Sequence, residues 1–561
     1  MTEAKHLESK DFDPKALHFV PLGGAGEIGM NLNLYHHQGK WLMVDLGVSF
    51  GDETTPGVDI ILPDTSFIED RRGDLLGIVV THAHEDHLGA IPHLWEDLRV
   101  PVWCTPFTAS FLKAKLVETG LQNKVPIHII PLGGRASIGP FDLELISLTH
   151  SIPEPNALVI RTSAGTVLHT GDWKLDPDPV IGLLADEDAL KKLGREGVTA
   201  MICDSTNAMV PGTSGSEAAV QESFKELFGR FTDTRIAVTC FASNVARLHS
   251  IAIAAQAHDR QVALAGRSLW RINEAARANG YLSDLPPFLT EREAGYVPRE
   301  KLVVICTGSQ GEPRAALARI ANDDHPDVVL ERGDVVIFSA REIPGNEKGI
   351  AKIQNGLMRQ GIQVITADEE FVHVSGHPAR DELVQMYQWV RPKIAVPVHG
   401  EHRHLTVHAA LARDCQVPEV VVPDDGMVIR LGPGPAANLG HVHAGKLCID
   451  GKRIVPLTNM AMRGRTRMAQ AGVSMVTLVM TPRGDLLADP KVTAIGLLEE
   501  DEVDEETADL IARVRLAVEN LSKAARMDDA QVKEAARIAI RRSFSTSQGR
   551  KPLTEVHLVR I

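Results

Sequence analysis

No two cysteines in this 561-residue chain are spaced as C-x-x-C; the six (Cys104, Cys203, Cys240, Cys306, Cys415 and Cys448) are scattered along it. That speaks against a disulfide framework or a cysteine zinc site and fits reduced, mostly buried thiols. No stretch approaches the roughly 20 apolar residues that a membrane-spanning helix needs. The N-terminal MTEAKHLESKDFDPK is polar and mixed in charge, unlike a secretory signal. A cytoplasmic location and no membrane partner are therefore expected. Positive charge is not in excess either. A net charge of −14 argues against nucleic-acid binding over the whole surface and leaves room for a local basic channel. With 44% hydrophobic and 24% charged residues the composition is that of a globular protein, and the length predicts roughly two to four domains.

From about residue 17 to 208, short apolar strands alternate with turns and a few helices. LHFVPL, LNLYHH, KWLMVDLG, LLGIVVT, FDLELISLTH, ALVIRT, TVLHTGD and TAMICDST read as strands, and FTASFLKAKLVETG as an amphipathic helix. From about 212 to 370 strands alternate with helices, which predicts a parallel-sheet α/β unit. Short strands return over 391–431, as if completing the first domain around an insertion. Beyond about 465 comes a tail with a strand hairpin (SMVTLVMTPRGDLLAD), two charged helices and a closing strand, LTEVHLVRI.

Gly24, Gly26 and Gly29 in LGGAGEIG satisfy the dinucleotide-binding pattern G-x-G-x-x-G. The pattern needs a following helix to hold a pyrophosphate, but MNLNLYHHQGKWLMVDLG reads as two strands. These glycines are better explained as tight turns beside an active site. VVTHAHEDHLGAIP is more telling, because it packs His82, His84, Asp86 and His87 directly after an apolar strand. In extended backbone residues i and i+2 point the same way, so His82 and His84 can grip one cation. Asp86 and His87, turning into a helix, can face a second. Imidazole and carboxylate donors suit zinc or manganese. Further donors are expected at strand ends: His150 in SLTH, Asp172 in HTGDW and His399 in AVPVHG. Asp45 in MVDLG is either a ligand or the group that orients a ligating imidazole. His36, His37, His402 and His404 read as surface residues.

THAHEDHLGA, LTHSIP, HTGDW and MVDLG together resemble the metallo-β-lactamase superfamily. CDSTNA with Asp204, HVSGHPAR with His373 and His377, and PVHGEHRH with His399 resemble the motifs of its β-CASP nuclease group. FASNVARL, CTGSQGEP, IPGNE and the C-terminal GRKPLTEVHLVRI are similar to the ribonuclease J family, and the resemblance runs from about residue 15 to the end. It implies an α/β fold: an αββα metallo-β-lactamase sandwich with an inserted α/β β-CASP domain and a small α+β C-terminal domain. The core would span 1–208 and 371–450, the insertion 209–370, a linker 451–468 and the last domain 469–561.

The resemblance further implies two divalent metal ions, zinc first with manganese or magnesium as alternatives. His82, His84 and His150 would hold one and Asp86, His87 and His399 the other, with Asp172 bridging. Asp86, Asp204 and His377 would be catalytic, and His373, Ser375, Gly376 and His377 would hold RNA phosphates. The implied activity is a 5′-to-3′ exoribonuclease preferring 5′-monophosphate ends of single-stranded RNA, with some endonuclease activity, in mRNA decay and rRNA maturation. The implied assembly is a homodimer or homotetramer and an RNA-degradation complex. A nuclease acting on DNA and a non-catalytic RNA-binding member are the alternatives. Arg341 and Glu342 in FSAREIPGNE stand where the resemblance leads one to expect small residues. Arg463, Arg465 and Arg467, and Arg537, Arg541, Arg542, Arg550 and Lys551, are local basic clusters available to RNA or a partner chain.

Overall fold

The computed structural model describes Leu7, residues 12–499 and residues 503–561. The chain packs as two units, Met1–Ser49 with Leu62–Lys446, and Phe50–Ile61 with Leu447–Ile561.

Among the described residues of the first unit, two sheets stack face to face. One orders Ala437–His441, Met427–Gly432, Leu17–Gly23, Leu32–His37, Lys40–Val44, Leu75–Val79, Val102–Cys104 and Ile127–Ile129. The other orders Arg135–Ile138, Phe141–Ser147, Asn156–Thr162, Gly165–His169, Ala200–Asp204, Ile394–Val398 and Glu419–Val420. Alternation explains the stacking: Phe141, Leu143 and Leu145 turn inward from one strand. They meet Leu17, Phe19, Tyr35 and Val44 of the opposite sheet in one core. Helices Glu187–Glu196, Arg380–Val390 and His402–Asp414 cover the second sheet's outer face, packing Leu190, Leu383, Met386 and Leu411 against Met201 and Ala395. Helices Ile91–Leu98 and Pro106–Glu118 supply the remaining layer. This is the expected αββα sandwich.

The chain leaves this sandwich after Asp204 and rejoins it at the helix Arg380–Val390, yet the strands Ala200–Asp204 and Ile394–Val398 are parallel neighbours, paired from Ala200↔Ile394 to Asp204↔Val398. The residues between them build a separate parallel sheet in the order Gln261–Ala265, Leu302–Cys306, Ile236–Thr239, Val335–Phe338 and Gln363–Ile365. Helices cover it through Leu317, Ile320, Ile350 and Leu357. The change of texture at 212 is thus the start of an insertion between two adjacent core strands.

In the second unit, the strand Val473–Met480 buries every second residue. It pairs with Leu553–Arg560 in parallel and with Lys491–Ile495 antiparallel. Helices Val503–Glu519 and Asp529–Ser547 contribute Leu510, Val514, Val532, Ile540 and Phe544 to its core. The expected hairpin within SMVTLVMTPRGDLLAD forms only a bridge, Met480↔Leu486. Pro490 has no N–H to offer a ladder, so regular pairing resumes at Lys491. The stretch read as a linker, 451–468, carries a strand, Arg453–Pro456, and most of a helix, Met460–Ala471, capped by Asn459. Of the basic clusters, Arg465 is tied to Asp450 at 2.6 Å and Arg537 to Glu534, while Arg463, Arg467, Arg542, Arg550 and Lys551 are exposed.

Three of the four histidines read as surface residues are buried. His36 sits among Phe12, Trp41 and His18, where burial pushes its pKa and that of His18 down to about 4. His37 bonds the Ala16 carbonyl and the Ser163 hydroxyl. His404 accepts the Glu401 N–H at the start of its helix. Each imidazole finds a local polar partner, and single-residue polarity does not announce that. His402 is exposed. All six cysteines are free.

Candidate metal centre

Strands of both sheets end at one edge, and the ligand-capable side chains follow those ends. Leu75–Val79 leads into His82 and His84, then into the helix Glu85–Leu88 with Asp86 and His87. His150 follows Phe141–Ser147, Asp172 follows Gly165–His169, Asp204 ends Ala200–Asp204, and His399 follows Ile394–Val398. Asp45, just after Lys40–Val44, and His399 take left-handed backbone, φ 65° and 52°, conformations that non-glycine residues hold only under local constraint.

Among the described residues three overlapping donor groups share Asp172; two consist of the expected ligands, and the third joins Asp172 and His399 to Asp204 and His377. In the first, His84 Nδ1 lies 3.0 Å from His82 Nε2 and 3.0 Å from His150 Nε2. Asp172 Oδ2 is 3.9 Å from both Nε2 atoms. In the second, the same Oδ2 lies 3.2 Å from His87 Nε2 and 3.4 Å from His399 Nε2. Asp86 Oδ2 is 3.6 and 3.7 Å from those nitrogens. Within each group the donor atoms lie within 4.8 Å of one another.

The far side of these imidazoles is held. Asp45 Oδ1 accepts Thr81 N–H at 2.8 Å, and its Oδ2 accepts the Thr81 hydroxyl at 3.0 Å and His87 Nδ1–H at 2.7 Å. The Thr81 oxygen then accepts His82 Nδ1–H at 3.0 Å. His150 Nδ1 donates to the Gly376 carbonyl at 2.5 Å, and His399 Nδ1 donates to Asn31 Oδ1 at 3.0 Å. These bonds fix the tautomers and leave the Nε2 lone pairs aimed inward. Two such lone pairs converge on His84 Nδ1, and among the described residues His399 Nε2 and Asp172 Oδ1 are buried without a hydrogen-bond partner. Nitrogen and oxygen atoms gathered at these distances, two of them buried without a partner, fit divalent metal ions. Burial, reinforced by neighbouring imidazoles, holds His82 and His150 well below the usual range, and burial takes His84 to about 4, so all three are neutral donors. Burial acts the same way on His87, but Asp172, Asp86 and Asp45 outweigh it and push it up.

Beside these groups His377 Nδ1 donates to Asp204 Oδ2 at 2.8 Å and lies 3.8 Å from Asp172 Oδ2. Burial would lower His377, but the Asp204 and Asp172 carboxylates bring it up to about 9. Asn207 Nδ2 donates to Ser375 Oγ at 2.7 Å and to the His377 carbonyl at 3.1 Å, clamping the turn. His373 Nδ1 is buried and unpartnered among the described residues. Burial, then Arg247, Lys174 and Arg341, push that imidazole down to about 3. Gly376 approaches so closely that a Cβ there would sit 2.8 Å from His150 Cε1 and Nδ1. Gly376→Ala is therefore expected to displace His150 and weaken metal affinity about 10–100-fold, measured by zinc competition against a chromophoric chelator. Unchanged affinity would refute this role.

The structure thus brings together His82, His84, Asp86, His87, His150, Asp172, Asp204, His377 and His399, with Asp45 behind them and Ser375 and Gly376 at the rim. Three contributors went unread in the sequence: Thr81, Asn31 and Asn207. Asn31 sits in the glycine-rich segment. No nucleotide-binding helix follows Gly24, Gly26 and Gly29; their φ values are 87°, 102° and 96°. A Cβ on Gly24 would lie 2.4 Å from Asn31 Oδ1, and the Gly24 carbonyl accepts His399 N–H at 2.7 Å. The motif shapes the cradle of His399.

Comparison with known proteins bears on fold and family. The family described as "Beta-lactamase superfamily domain" matches residues 55–192, and "Ribonuclease J, beta-CASP domain" matches 233–357. "Zn-dependent metallo-hydrolase RNA specificity domain" matches 361–423, and "Ribonuclease J C-terminal domain" matches 460–561. A protein of unknown function from Enterococcus faecalis V583 shares the fold, with a TM-score of 0.51 at 15% identity over 74% of this chain and 100% of that one. Ribonuclease J of Mycolicibacterium smegmatis is 38% identical over 96% of each chain. Ribonuclease J of Sinorhizobium meliloti is 47% identical over 100% of this chain and 99% of its own. By architecture, motif and full-length identity, this chain belongs to the ribonuclease J family.

Proposed function

We propose that the chain is a two-metal phosphodiesterase that hydrolyses single-stranded RNA. The observation that carries this is the single Asp172 oxygen shared by two complete donor groups, with the Asp204–His377 pair at their edge. His82, His84 and His150 would hold one ion and Asp86, His87 and His399 the other, with Asp172 within reach of both groups; zinc is the first candidate, with manganese and magnesium as alternatives. Bound, such a pair of ions supplies Lewis acidity and hydroxide at neutral pH. The protein's own residues do the rest. Asp45, Thr81 and Asn31 hold Nδ1–H of His87, His82 and His399 and so orient the Nε2 atoms toward the site. Asp204 keeps a proton on His377 Nδ1, and His377 protonates the 3′ oxygen as the P–O bond breaks. The Ser375 hydroxyl and the imidazole of His373 hold phosphate oxygens of the strand.

The inserted domain favours a polymer over a small ester or lactam, because an added α/β lobe beside the centre can form the wall of a strand-holding channel. The family relationship supports 5′-to-3′ exonuclease action on 5′-monophosphate ends, some endonuclease activity, and roles in mRNA decay and rRNA maturation. It equally supports a cytoplasmic homodimer or homotetramer within an RNA-degradation complex. The test is direct: zinc- or manganese-loaded protein is incubated with end-labelled RNA carrying a 5′-monophosphate or triphosphate, and with matched DNA. Stepwise release of mononucleotides from the monophosphorylated RNA, abolished by chelator and restored by metal, is expected. Equal cleavage of DNA, or cleavage undiminished by chelator, would overturn the reading.

A further inference from the structure

Arg341 stands beside the clamp that holds His377. It follows the strand Val335–Phe338 of the inserted sheet and is exposed to solvent. Its Nη1 lies 3.4 Å from Asn207 Oδ1, and Asn207 is the residue whose amide nitrogen bonds Ser375 Oγ and the His377 carbonyl. Two other cations, Arg247 and Lys174, act with it on His373. Those two are buried and committed, Arg247 to Glu217 at 3.1 Å and Lys174 to Asp176 at 2.8 Å. The partner at the Arg341 guanidinium is instead a neutral amide. The charge of Arg341 is therefore available to a ligand, one residue away from the Ser375 hydroxyl through Asn207.

The backbone under this side chain is braced. Gln310, itself buried, donates to the Arg341 carbonyl at 2.9 Å and accepts the Ile343 N–H at 2.9 Å and the Asn346 amide at 3.2 Å. A loop braced in this way fixes the point from which the guanidinium is presented, so the backbone has little freedom left to lose on binding. A planar fork of donors anchored on a braced backbone suits the paired oxygens of a phosphodiester.

We propose that Arg341 is a phosphate-binding residue of this chain, gripping a backbone phosphate of the RNA strand next to the scissile one from the side of the inserted domain. The inference rests on the RNA-hydrolase reading above. Arg341 thereby adds an ionic contact at a position where the family resemblance leads one to expect small residues, so that a chain of net charge −14 draws its substrate charge locally.

Steady-state cleavage of a 5′-monophosphorylated single-stranded RNA by the metal-loaded full chain, across a potassium chloride series, tests this. For Arg341→Gln the KM is expected to rise about tenfold, as loss of one charged hydrogen-bonded contact implies. The salt dependence of log kcat/KM should become shallower by about 0.7, one phosphate contact on a single strand. Arg341→Lys should restore the slope and only part of the affinity. An unchanged KM and slope in Arg341→Gln would overturn the proposal. So would a fall in kcat with an unchanged slope, reproduced by Asn207→Ala, because that is the signature of a strut for the His377 turn. If the unaltered protein leaves RNA intact, the functional reading itself has failed; if it cuts RNA and Arg341→Gln behaves identically, only the role of Arg341 has.

Discussion

Asp172→Asn is expected to abolish hydrolysis, by at least about 10³-fold, and to cost the protein both ions together. The magnitude follows from the several kcal/mol that bound metal contributes to a developing charge, at about 1.4 kcal/mol per tenfold in rate. The reason is geometric. Asp172 Oδ2 is the atom common to both donor groups, 3.2 Å from His87 Nε2, 3.4 Å from His399 Nε2 and 3.9 Å from His82 and His150. Asparagine preserves the shape but removes the charge that two cations in close apposition need between them. Replacing His84 or His399 by alanine should instead deplete one site more than the other. Metal content by elemental analysis of dialysed protein, alongside cleavage rates, checks this. An Asp172→Asn protein that keeps both metals would disprove the shared role.

The second large effect is expected at His377. His377→Gln should lower kcat about 10²–10⁴-fold, the range for loss of a positioned proton donor, with metal content intact. Asp204→Asn should fall by a similar factor. The double variant should be little worse than either alone, because residues acting as a unit lose their function once. The pH profile gives an independent readout. Asp204, which accepts His377 Nδ1–H at 2.8 Å, raises this imidazole against the pull of burial, so the donor form is lost on the alkaline side as pH rises. Without the Asp204 charge that loss should move to lower pH in Asp204→Asn. Strictly additive effects, or an alkaline limb that does not move, would count against the pair.

Why the candidate metal ligands could be read in advance, and their supports could not, follows from chemistry. His82, His84, Asp86 and His87 are four donor-bearing residues within six positions, and His150, Asp172 and His399 each follow an apolar strand whose end the pattern marks. Such spacing has few other uses. Asn31, Thr81 and Asn207 are ordinary polar residues whose importance lies in which atom they meet: Asn31 serves His399, 368 residues away. The glycine motif misdirects for a related reason, since the same left-handed turns serve a phosphate loop or, as here, a close approach to Asn31. His36, His37 and His404 were misplaced because an imidazole is buried readily once one local partner exists. The insertion was legible as a change of periodicity. Its attachment between two paired strands was not, because strand adjacency is a property of the sheet.

That attachment has a consequence in time. The strand Ala200–Asp204 meets its neighbour Ile394–Val398 only after the residues between them have been made. At ribosomal rates of about 5–20 residues per second, those intervening residues take roughly 10–40 s. Throughout that interval the growing sheet carries an unpaired edge, and His399 has yet to be synthesised. A nascent chain released early therefore lacks a ligand of the second donor group, so the centre is completed only by a ribosome that has passed residue 399.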